Sequence, residues 1–269
     1  MCEGRDNRYS LPVIRDLRLH ANEFLEWFGS LGIFFWRVLK AAVTPPYEWR
    51  ELLRQLDEVG SKSFPLVVLA GSAIGVVLSL EARYSLSRFG AKSMFPMTLV
   101  YSVIQVMGPI ITGLIVSGRV GAGIGAELAS MKVTEQIDAI EASAINPYRL
   151  LASTRILACI LMLPLLTIAA DASGLLTGWF TQAMVEPLSF QQFINNGFSG
   201  ATFNGFIPPT FKTTVYGLII GVIACFEGMR TRGGAAGVGR AATNSVVLAS
   251  LFVIMADVVL VKLILVVFP

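Results

Sequence analysis

Long stretches of this chain carry almost no charged residue, and short charged segments separate them. A helix needs about 20 predominantly apolar residues to cross a bilayer. Five stretches approach that length, and they cover residues 63–80, 93–118, 156–185, 206–226 and 241–268. The pattern therefore predicts an all-α polytopic membrane protein with five transmembrane helices, which form one domain over residues 63–269.

Residues 1–62 form a different kind of segment. From Leu11 to Val43, Leu, Phe and Trp alternate with Arg and Lys at helical intervals. The most apolar part, Trp27 to Trp36, is too short to cross a membrane. This pattern predicts an amphipathic helix that lies in the membrane interface. A polar helix that packs on a partner protein is the alternative.

The positions of the basic residues predict the orientation of the chain. Lys and Arg concentrate in the cytoplasmic loops of membrane proteins. With the N-terminus in the cytoplasm, 16 of the 21 Lys and Arg fall on the cytoplasmic side. We therefore expect a cytoplasmic N-terminus, an external C-terminus and a large cytoplasmic loop over residues 119–155.

Composition narrows the class of protein further. Hydrophobic residues make up 54% of the chain and charged residues 14%, and the mean hydropathy is +0.68. Such a composition excludes an intrinsically disordered chain and argues against a soluble globule. A net charge of +3 is too small to indicate a nucleic-acid surface.

Few residues in the chain are suited to catalysis or metal binding. The only histidine is His20, and Cys2, Cys159 and Cys225 form no C-x-x-C pair. The sequence contains no G-x-S-x-G or H-E-x-x-H motif. We therefore expect no catalytic residue, no metal site and no bound cofactor, so the chain is not predicted to be an enzyme.

Two glycine-rich segments need a separate explanation. In residues 234–241, Arg240 stands where a phosphate-binding loop has Lys, and Ala241 replaces the hydroxyl residue. Residues 121–125 lack the full dinucleotide-binding spacing. Both segments are predicted to be tight turns at the ends of membrane helices.

The loop over residues 119–155 combines a glycine-rich bend with a predicted short helix. On that helix Ile137, Ile140 and Ala144 share one face, and the acidic residues Glu135, Asp138 and Glu141 line another. The pair Asn146-Pro147 is expected to end it. The helix is either a docking surface for another protein or a solvated connector.

Pairs of small residues recur at four-residue spacing inside the predicted spans. They are Gly71 with Gly75, Gly174 with Gly178, and Gly217 with Gly221. In membranes such faces allow helices to approach closely. The sequence leaves open whether they pack within one subunit or between two.

Three ionisable residues lie within or beside the spans, where charges are costly: Asp171, Lys212 and Asp257. Lys262 lies only five residues from Asp257. These charges are either structural pairs or, for Lys212 and Asp257, the wall of a cavity that admits a charged headgroup.

Two motifs are similar to those of the MlaE family, the permeases of MCE-type lipid ABC transporters. The first comprises GRVGAGIGAEL (118–128), MKVTEQIDAIE (131–141) and Asn146-Pro147, and the second is GVGRAATNSVV (237–247). The resemblance extends from about residue 50 to the C-terminus.

The resemblance implies a homodimeric permease in a bacterial inner membrane. Its partners would be a separate cytoplasmic ABC ATPase and a periplasmic ring of MCE-domain proteins, and its substrate a phospholipid. The residues that would couple to the ATPase are Arg119, Glu127, Thr134, Glu135, Gln136, Asp138 and Glu141. Those assigned to the lipid path are Leu78, Gln105, Lys212 and Asp257.

One position departs from the family pattern. The family often has Arg-Glu before Leu-Gly-Pro in the second span, whereas this chain has Gln105-Val106 before Met107. Two other functions stay open: a stand-alone secondary transporter or channel for a small amphiphile, and a membrane scaffold.

Overall fold

In the computed structural model, the described residues are 10–44, 48–199 and 203–267, with side chains over 25–44, 48–199 and 207–267. All regular elements in these ranges are helices. The α-helices are α1 (Ser10–Val43), α2 (Trp49–Gly60), α3 (Phe64–Arg88), α4 (Phe95–Ser102), α5 (Gly108–Val116), α6 (Ala122–Val133), α7 (Gln136–Ala142), α8 (Thr154–Ala183), α9 (Phe190–Gly197), α10 (Phe203–Met229) and α11 (Gly234–Val267). Cys2 and the side chain of His20 lie outside the described residues.

Within the described part of the chain, five helical segments are long and apolar enough to cross a membrane, as predicted. They are Trp49–Arg88, Lys92–Val133, Tyr148–Ala183, Ile207–Met229 and Gly234–Val267. The second and third segments extend well beyond the charge-free runs 93–118 and 156–185. Only residues 134–147 connect these two segments, rather than the whole predicted loop over 119–155.

The prediction of a bend at the first glycine-rich segment is wrong. Residues 117–121 form a π-helical turn that leads directly into α6. Gly125 packs so closely on α11 that a Cβ added there would lie 2.3 Å from Ser245 Oγ. The glycines therefore allow close helix packing. The second segment does begin with a turn, where Gly233 and Gly234 have φ of 95° and 65°.

Helix α8 is the centre of the bundle, and all three pairs of small residues pack within the subunit. A Cβ on Gly75 in α3 would lie 2.0 Å from the carbonyl oxygen of Gly174 in α8. A Cβ on Gly217 in α10 would lie 2.5 Å from the carbonyl oxygen of Cys159, also in α8. The hydroxyl group of Ser79 adds a hydrogen bond to the carbonyl oxygen of Gly178 at 2.9 Å. Close backbone contact and such bonds hold helices together in lipid.

Helix α11 buries a single stripe of residues at four-residue spacing. The buried residues are Gly237, Ala241, Ser245, Ala249, Val253 and Asp257. Small side chains let this face pack on α6 and α10. Since Asp257 ends the stripe, its carboxylate faces the bundle while its neighbours Val258 and Val259 stay exposed.

Helix α1 is the predicted amphipathic helix. Phe34, Val38 and Ala41 are buried against the bundle. Large apolar residues such as Trp36 and Leu39 are exposed on the rest of its surface, which suits a helix lying in a membrane interface. Helix α1 ends at Val43.

The predicted helix of the loop between the second and third spans is shorter than expected. Helix α7 ends at Ala142 and not at Asn146-Pro147. Ala144, which was expected on its apolar face, lies beyond the helix and has φ of 59°.

Candidate functional site

A buried ion pair joins α10 and α11 inside the membrane-spanning region. Lys212 Nζ lies 2.7 Å from Asp257 Oδ1, and the two side chains are 1% and 11% exposed. The sequence singled out both residues and left open whether Asp257 pairs with Lys262, which is exposed. Tertiary packing of α10 on α11 selects the other lysine, because it brings Lys212 to the end of the buried stripe.

The second partner of Lys212 is a backbone oxygen of the second span. Lys212 Nζ donates to the carbonyl oxygen of Gln105 at 3.0 Å. Gln105 lies in the π-helical turn Val103–Met107, and four residues later Pro109 has no N–H with which to complete an α-helical hydrogen bond. Lys212 thus donates a hydrogen bond to the carbonyl oxygen of Gln105, to which Pro109 cannot donate.

Tyr216 is a further polar partner of Asp257, and it was not identified from the sequence. Its hydroxyl group donates to Asp257 Oδ1, and its side chain is fully buried. The available signal was its spacing, because Tyr216 lies four residues after Lys212 and therefore on the same face of α10. We call Gln105, Lys212, Tyr216 and Asp257 the polar cluster.

A second carboxylate lies beside the same π-helical turn. Asp171 in α8 is 7% exposed, and its Oδ1 has no hydrogen-bond partner among the described residues. A Cβ on Gly108 would lie 1.7 Å from that oxygen. Only glycine fits at position 108. Residues 105–108 of the second span therefore contact two ionisable side chains, because Gln105 contacts Lys212 and Gly108 contacts Asp171.

The polar cluster balances its charges internally. One ammonium group faces one carboxylate, with a phenol and a carbonyl group as further partners. Breaking such a buried pair leaves an uncompensated charge. Each charged group of the cluster therefore depends on its partner.

Leu78, the remaining residue predicted on the lipid path, lies elsewhere. It is partly buried and packs on a separate apolar cluster formed by Phe95, Leu99, Val100, Val103, Ile104 and Phe193. This cluster joins α3, α4 and α9 at the predicted external end of the bundle. Its role on the lipid path stays a prediction.

Helix α7 presents an acidic surface next to the cytoplasmic end of the second span, in the predicted orientation. Ile137 is 3% exposed and anchors the helix, with Ile140 packed beside it. Glu135, Asp138 and Glu141 are exposed. Glu135 has φ of 59°, the left-handed conformation that separates α6 from α7. Lys132 Nζ also closes this corner with a bond to Asp138 Oδ1 at 2.6 Å.

Five of the seven residues predicted to couple to an ATPase lie on this corner and are exposed: Thr134, Glu135, Gln136, Asp138 and Glu141. We call this set the acidic corner. The other two bind elsewhere in the same chain. Arg119 donates to Ser63 Oγ at 2.7 Å. Glu127 Oε1 lies 2.8 Å from a terminal nitrogen of Arg155, whose side chain is 2% exposed. Both contacts brace the bundle.

At the opposite end, Glu186 follows α8 and receives a hydrogen bond from Lys92 Nζ at 2.6 Å. This bond, aided by the charges of Lys92 and Arg83, holds the pKa of Glu186 below its usual range. The contact ties the start of the second span to the end of the third.

The described residues contain no group of three or more His, Cys, Asp or Glu that could hold a metal ion. The described cysteines, Cys159 and Cys225, are free and buried. Both pack in the apolar core around α8.

Comparison with known proteins gives a consistent result. The family model described as Permease MlaE matches residues 52–263. A probable ABC transporter permease protein of Rickettsia typhi is 32% identical over 244 residues, which are 91% of this chain and 94% of that protein. A similar protein of Synechocystis is 30% identical over 253 residues, 94% of this chain and 92% of its own length.

A plant protein is also similar. The protein named TRIGALACTOSYLDIACYLGLYCEROL 1, chloroplastic, of Arabidopsis thaliana is 30% identical over 235 residues. These residues are 87% of this chain and 67% of the plant protein. The match therefore includes most of the bundle.

Proposed function

Because this chain belongs to the MlaE permease family, we propose that it is the membrane-spanning subunit of an ABC transporter that moves phospholipid. It is a multi-pass transport subunit and not an enzyme. ATP is hydrolysed by a separate cytoplasmic ATPase, and the acidic corner is the surface on which that ATPase docks.

One structural observation carries this proposal: a single helical segment, Lys92–Val133, contains Gln105 and ends at the acidic corner. Between Gln105 and Val133 a helix extends about 40 Å at 1.5 Å per residue. Force applied at the corner can therefore reach the acceptor of Lys212 without passing through a flexible loop.

The two π-helical turns give this segment places to bend. Residues 103–107 and 117–121 both depart from α-helical geometry, and such turns often mark functional sites. In the proposed mechanism, ATP binding moves the acidic corner, the second span pivots at these turns, and Gln105 shifts relative to Lys212. The polar cluster is then exposed to or withdrawn from the lipid.

A lipid substrate is supported by three features, of which the first favours a lipid with a charged headgroup, such as a phospholipid. The polar cluster offers a compact charged site within apolar helices, as a charged headgroup with acyl chains requires. One relative is named after a galactolipid, trigalactosyldiacylglycerol. Exposed apolar residues on α11, including Val258 and Leu251, provide a surface for acyl chains or a second subunit. Gln105, Lys212 and Asp257, with Leu78, are the proposed lipid-path residues.

The assembly we propose is a homodimer in a bacterial inner membrane, with a cytoplasmic N-terminus and a periplasmic C-terminus. Its periplasmic partner is a ring of MCE-domain proteins. The distribution of Lys and Arg supports the orientation, and the apolar surface of α1 supports its place in the membrane interface.

The acidic corner provides the direct test. A variant with Glu135→Lys, Asp138→Lys and Glu141→Lys should lose lipid transport and lipid-stimulated ATP hydrolysis, because reversed charges repel the docking surface. The measurement is both activities in reconstituted proteoliposomes with the copurified ATPase. Glu48→Lys with Asp57→Lys changes charge just before and on α2, on the same predicted side, and should preserve both activities.

Three results would count against the proposal. Normal transport by the acidic-corner variant would remove the docking role. Transport by the chain alone, without any ATPase, would favour the stand-alone transporter. Absence of lipid from the purified complex, judged by mass spectrometry, would favour a scaffold.

A further inference from the structure

Two adjoining cavities lie where α1 crosses the ends of α10 and α11. The first has a volume of about 370 Å³ and is lined by Arg230, Arg232 and Arg240 together with Trp27, Glu227 and Asn244. The second, about 320 Å³, is lined mainly by apolar side chains, including Ile33, Phe34 and Met229, and at its rim by Arg37, which donates to the hydroxyl group of Tyr148 at 3.4 Å. Arg230 lines both, so they form one groove with a basic end and an apolar end, which we call the arginine groove.

The arginines at the basic end lack acidic partners. None of Arg230, Arg232 and Arg240 lies within 4.0 Å of a carboxylate among the described residues. Arg230 lies over the ring of Phe226, with its guanidinium carbon 5.6 Å from the ring centroid. Arg240 Nε makes a long bond of 3.4 Å to a carbonyl oxygen of its own helix.

One acidic residue, Glu227, lines the basic end, and it is already engaged. Trp27 Nε1 donates to Glu227 Oε1 at 3.2 Å. Three guanidinium groups against one carboxylate leave an excess of two positive charges. Arginine presents paired donors that match the geometry of a phosphate group, so this end is suited to a phosphate.

The apolar end distinguishes a lipid from a soluble anion. Ile33 is 58% exposed, and it continues the exposed apolar surface of α1. Trp27 and Tyr148, which contribute to the two cavities, belong to the residue types that concentrate at the headgroup level of membranes. A soluble acidic protein would leave this end uncovered, whereas acyl chains would fill it.

We propose that the arginine groove binds an anionic phospholipid of the cytoplasmic leaflet, with its phosphate at the three arginines and its acyl chains along the apolar end. The groove is separate from the polar cluster, because Arg230 directly follows α10 and lies 18 positions after Lys212, or about 27 Å along a helix. The inference depends on the proposed orientation but not on lipid transport.

The test is native mass spectrometry of the purified full-length protein, mixed with phosphatidylglycerol or phosphatidylcholine of identical acyl chains. The wild-type protein should retain phosphatidylglycerol selectively. The variant Arg230→Gln, Arg232→Gln, Arg240→Gln should lose this selectivity. Each basic residue near an anionic membrane surface contributes about fivefold in affinity, so we expect a loss of at least about tenfold for the three together.

The control variant Arg50→Gln, Arg54→Gln, Lys62→Gln removes the same charge from α2 and the turn after it, on the same predicted side, and should keep the selectivity. The single variant Arg232→Gln changes an exposed side chain and should give a partial loss in a correctly folded protein. Both triple variants can still retain lipid without a preference for either headgroup. Such lipid is bound at another site, and its retention is consistent with the proposed lipid transport.

Several results would overturn the inference. One is equal retention of the two lipids by the wild-type protein. A second is an equal loss of selectivity in the control variant. A third is displacement of phosphatidylglycerol by inorganic phosphate at the same concentration, which would indicate a site for a free anion. Loss of ATPase binding in the groove variant, with selectivity unchanged, would identify the groove as a protein contact instead.

Discussion

Lys212 and Pro109 act on the same carbonyl group, although they lie 103 positions apart in the sequence. Pro109 has no N–H to offer to the oxygen of Gln105, and Lys212 Nζ donates to that oxygen at 3.0 Å. The π-helical turn of the second span and the buried ion pair are therefore parts of one structure. A change in the bend of this span must alter the environment of Lys212.

The ion pair predicts a strong asymmetry between single and double substitutions. Lys212→Met should lower the free energy of unfolding by about 3–5 kcal/mol, because it leaves Asp257 charged and buried. Lys212→Met combined with Asp257→Leu should cost less than Lys212→Met alone. Denaturant unfolding in lipid–detergent micelles measures both values. A double variant as unstable as the sum of its single variants would contradict the pairing.

The link between Pro109 and Lys212 can be measured directly. Pro109→Ala supplies an N–H that competes for the oxygen of Gln105, so Lys212→Met should be less harmful in that background. We expect a coupling energy of about 1–2 kcal/mol, as for a hydrogen bond from a charged donor. Pro164, inside α8, provides the control, and Pro164→Ala should show no coupling with Lys212→Met.

Two glycine substitutions should differ in their effect on stability, because Gly75 in α3 packs closely on α8 whereas Gly123 in α6 has open space beside it. Gly75→Ala places a Cβ 2.0 Å from a backbone oxygen that cannot move away without separating the helices, so it should destabilise the bundle by at least about 2 kcal/mol. Gly123→Ala, with nothing within 4 Å of the new Cβ, should be neutral or add up to about 1 kcal/mol. Thermal unfolding separates the two, and similar melting temperatures would refute the close contact.

Substitution of Glu127 should affect the stability of the protein, whereas substitution of Glu141 should affect its coupling to the ATPase. Glu127→Gln leaves the buried guanidinium group of Arg155 without its charged partner and should destabilise the protein by about 1–3 kcal/mol. Glu141→Gln removes an exposed carboxylate and should lower ATPase coupling at unchanged stability. Measuring melting temperature and ATP hydrolysis for each variant tests the distinction. A coupling defect in a fully stable Glu127→Gln protein would return Glu127 to the docking surface.

The contact between Lys92 and Glu186 predicts a pH dependence. The pKa of Glu186 is lowered in the folded protein, so the contact stabilises the fold above the usual Glu pKa of about 4.3. This stabilisation is lost as the pH falls through the folded pKa. Glu186→Gln should therefore lower the melting temperature slightly at neutral pH and not in acid. Glu81→Gln is the control, and an effect of Glu186→Gln that persists in acid would disprove the ionic origin.

The sequence alone determined the membrane class, the five spans and the family. These properties depend on the local density of apolar residues and on contiguous motifs, which can be recognised without knowing how the helices pack. The charge-free runs nevertheless underestimated the helices. Residues 119–133 and 148–155 are helical because the bundle packs their backbone, as at Gly125, and not because they are apolar throughout.

Only the tertiary structure decided which side chains meet. The sequence marked Lys212 and Asp257 but not their pairing, and it overlooked Tyr216. It also did not indicate that Arg119 contacts Ser63 and that Glu127 contacts Arg155. The contacts of the polar cluster join residues that are 41 to 107 positions apart. They depend on the crossing and depth of α8, α10 and α11, which a linear pattern of apolar and charged residues does not specify.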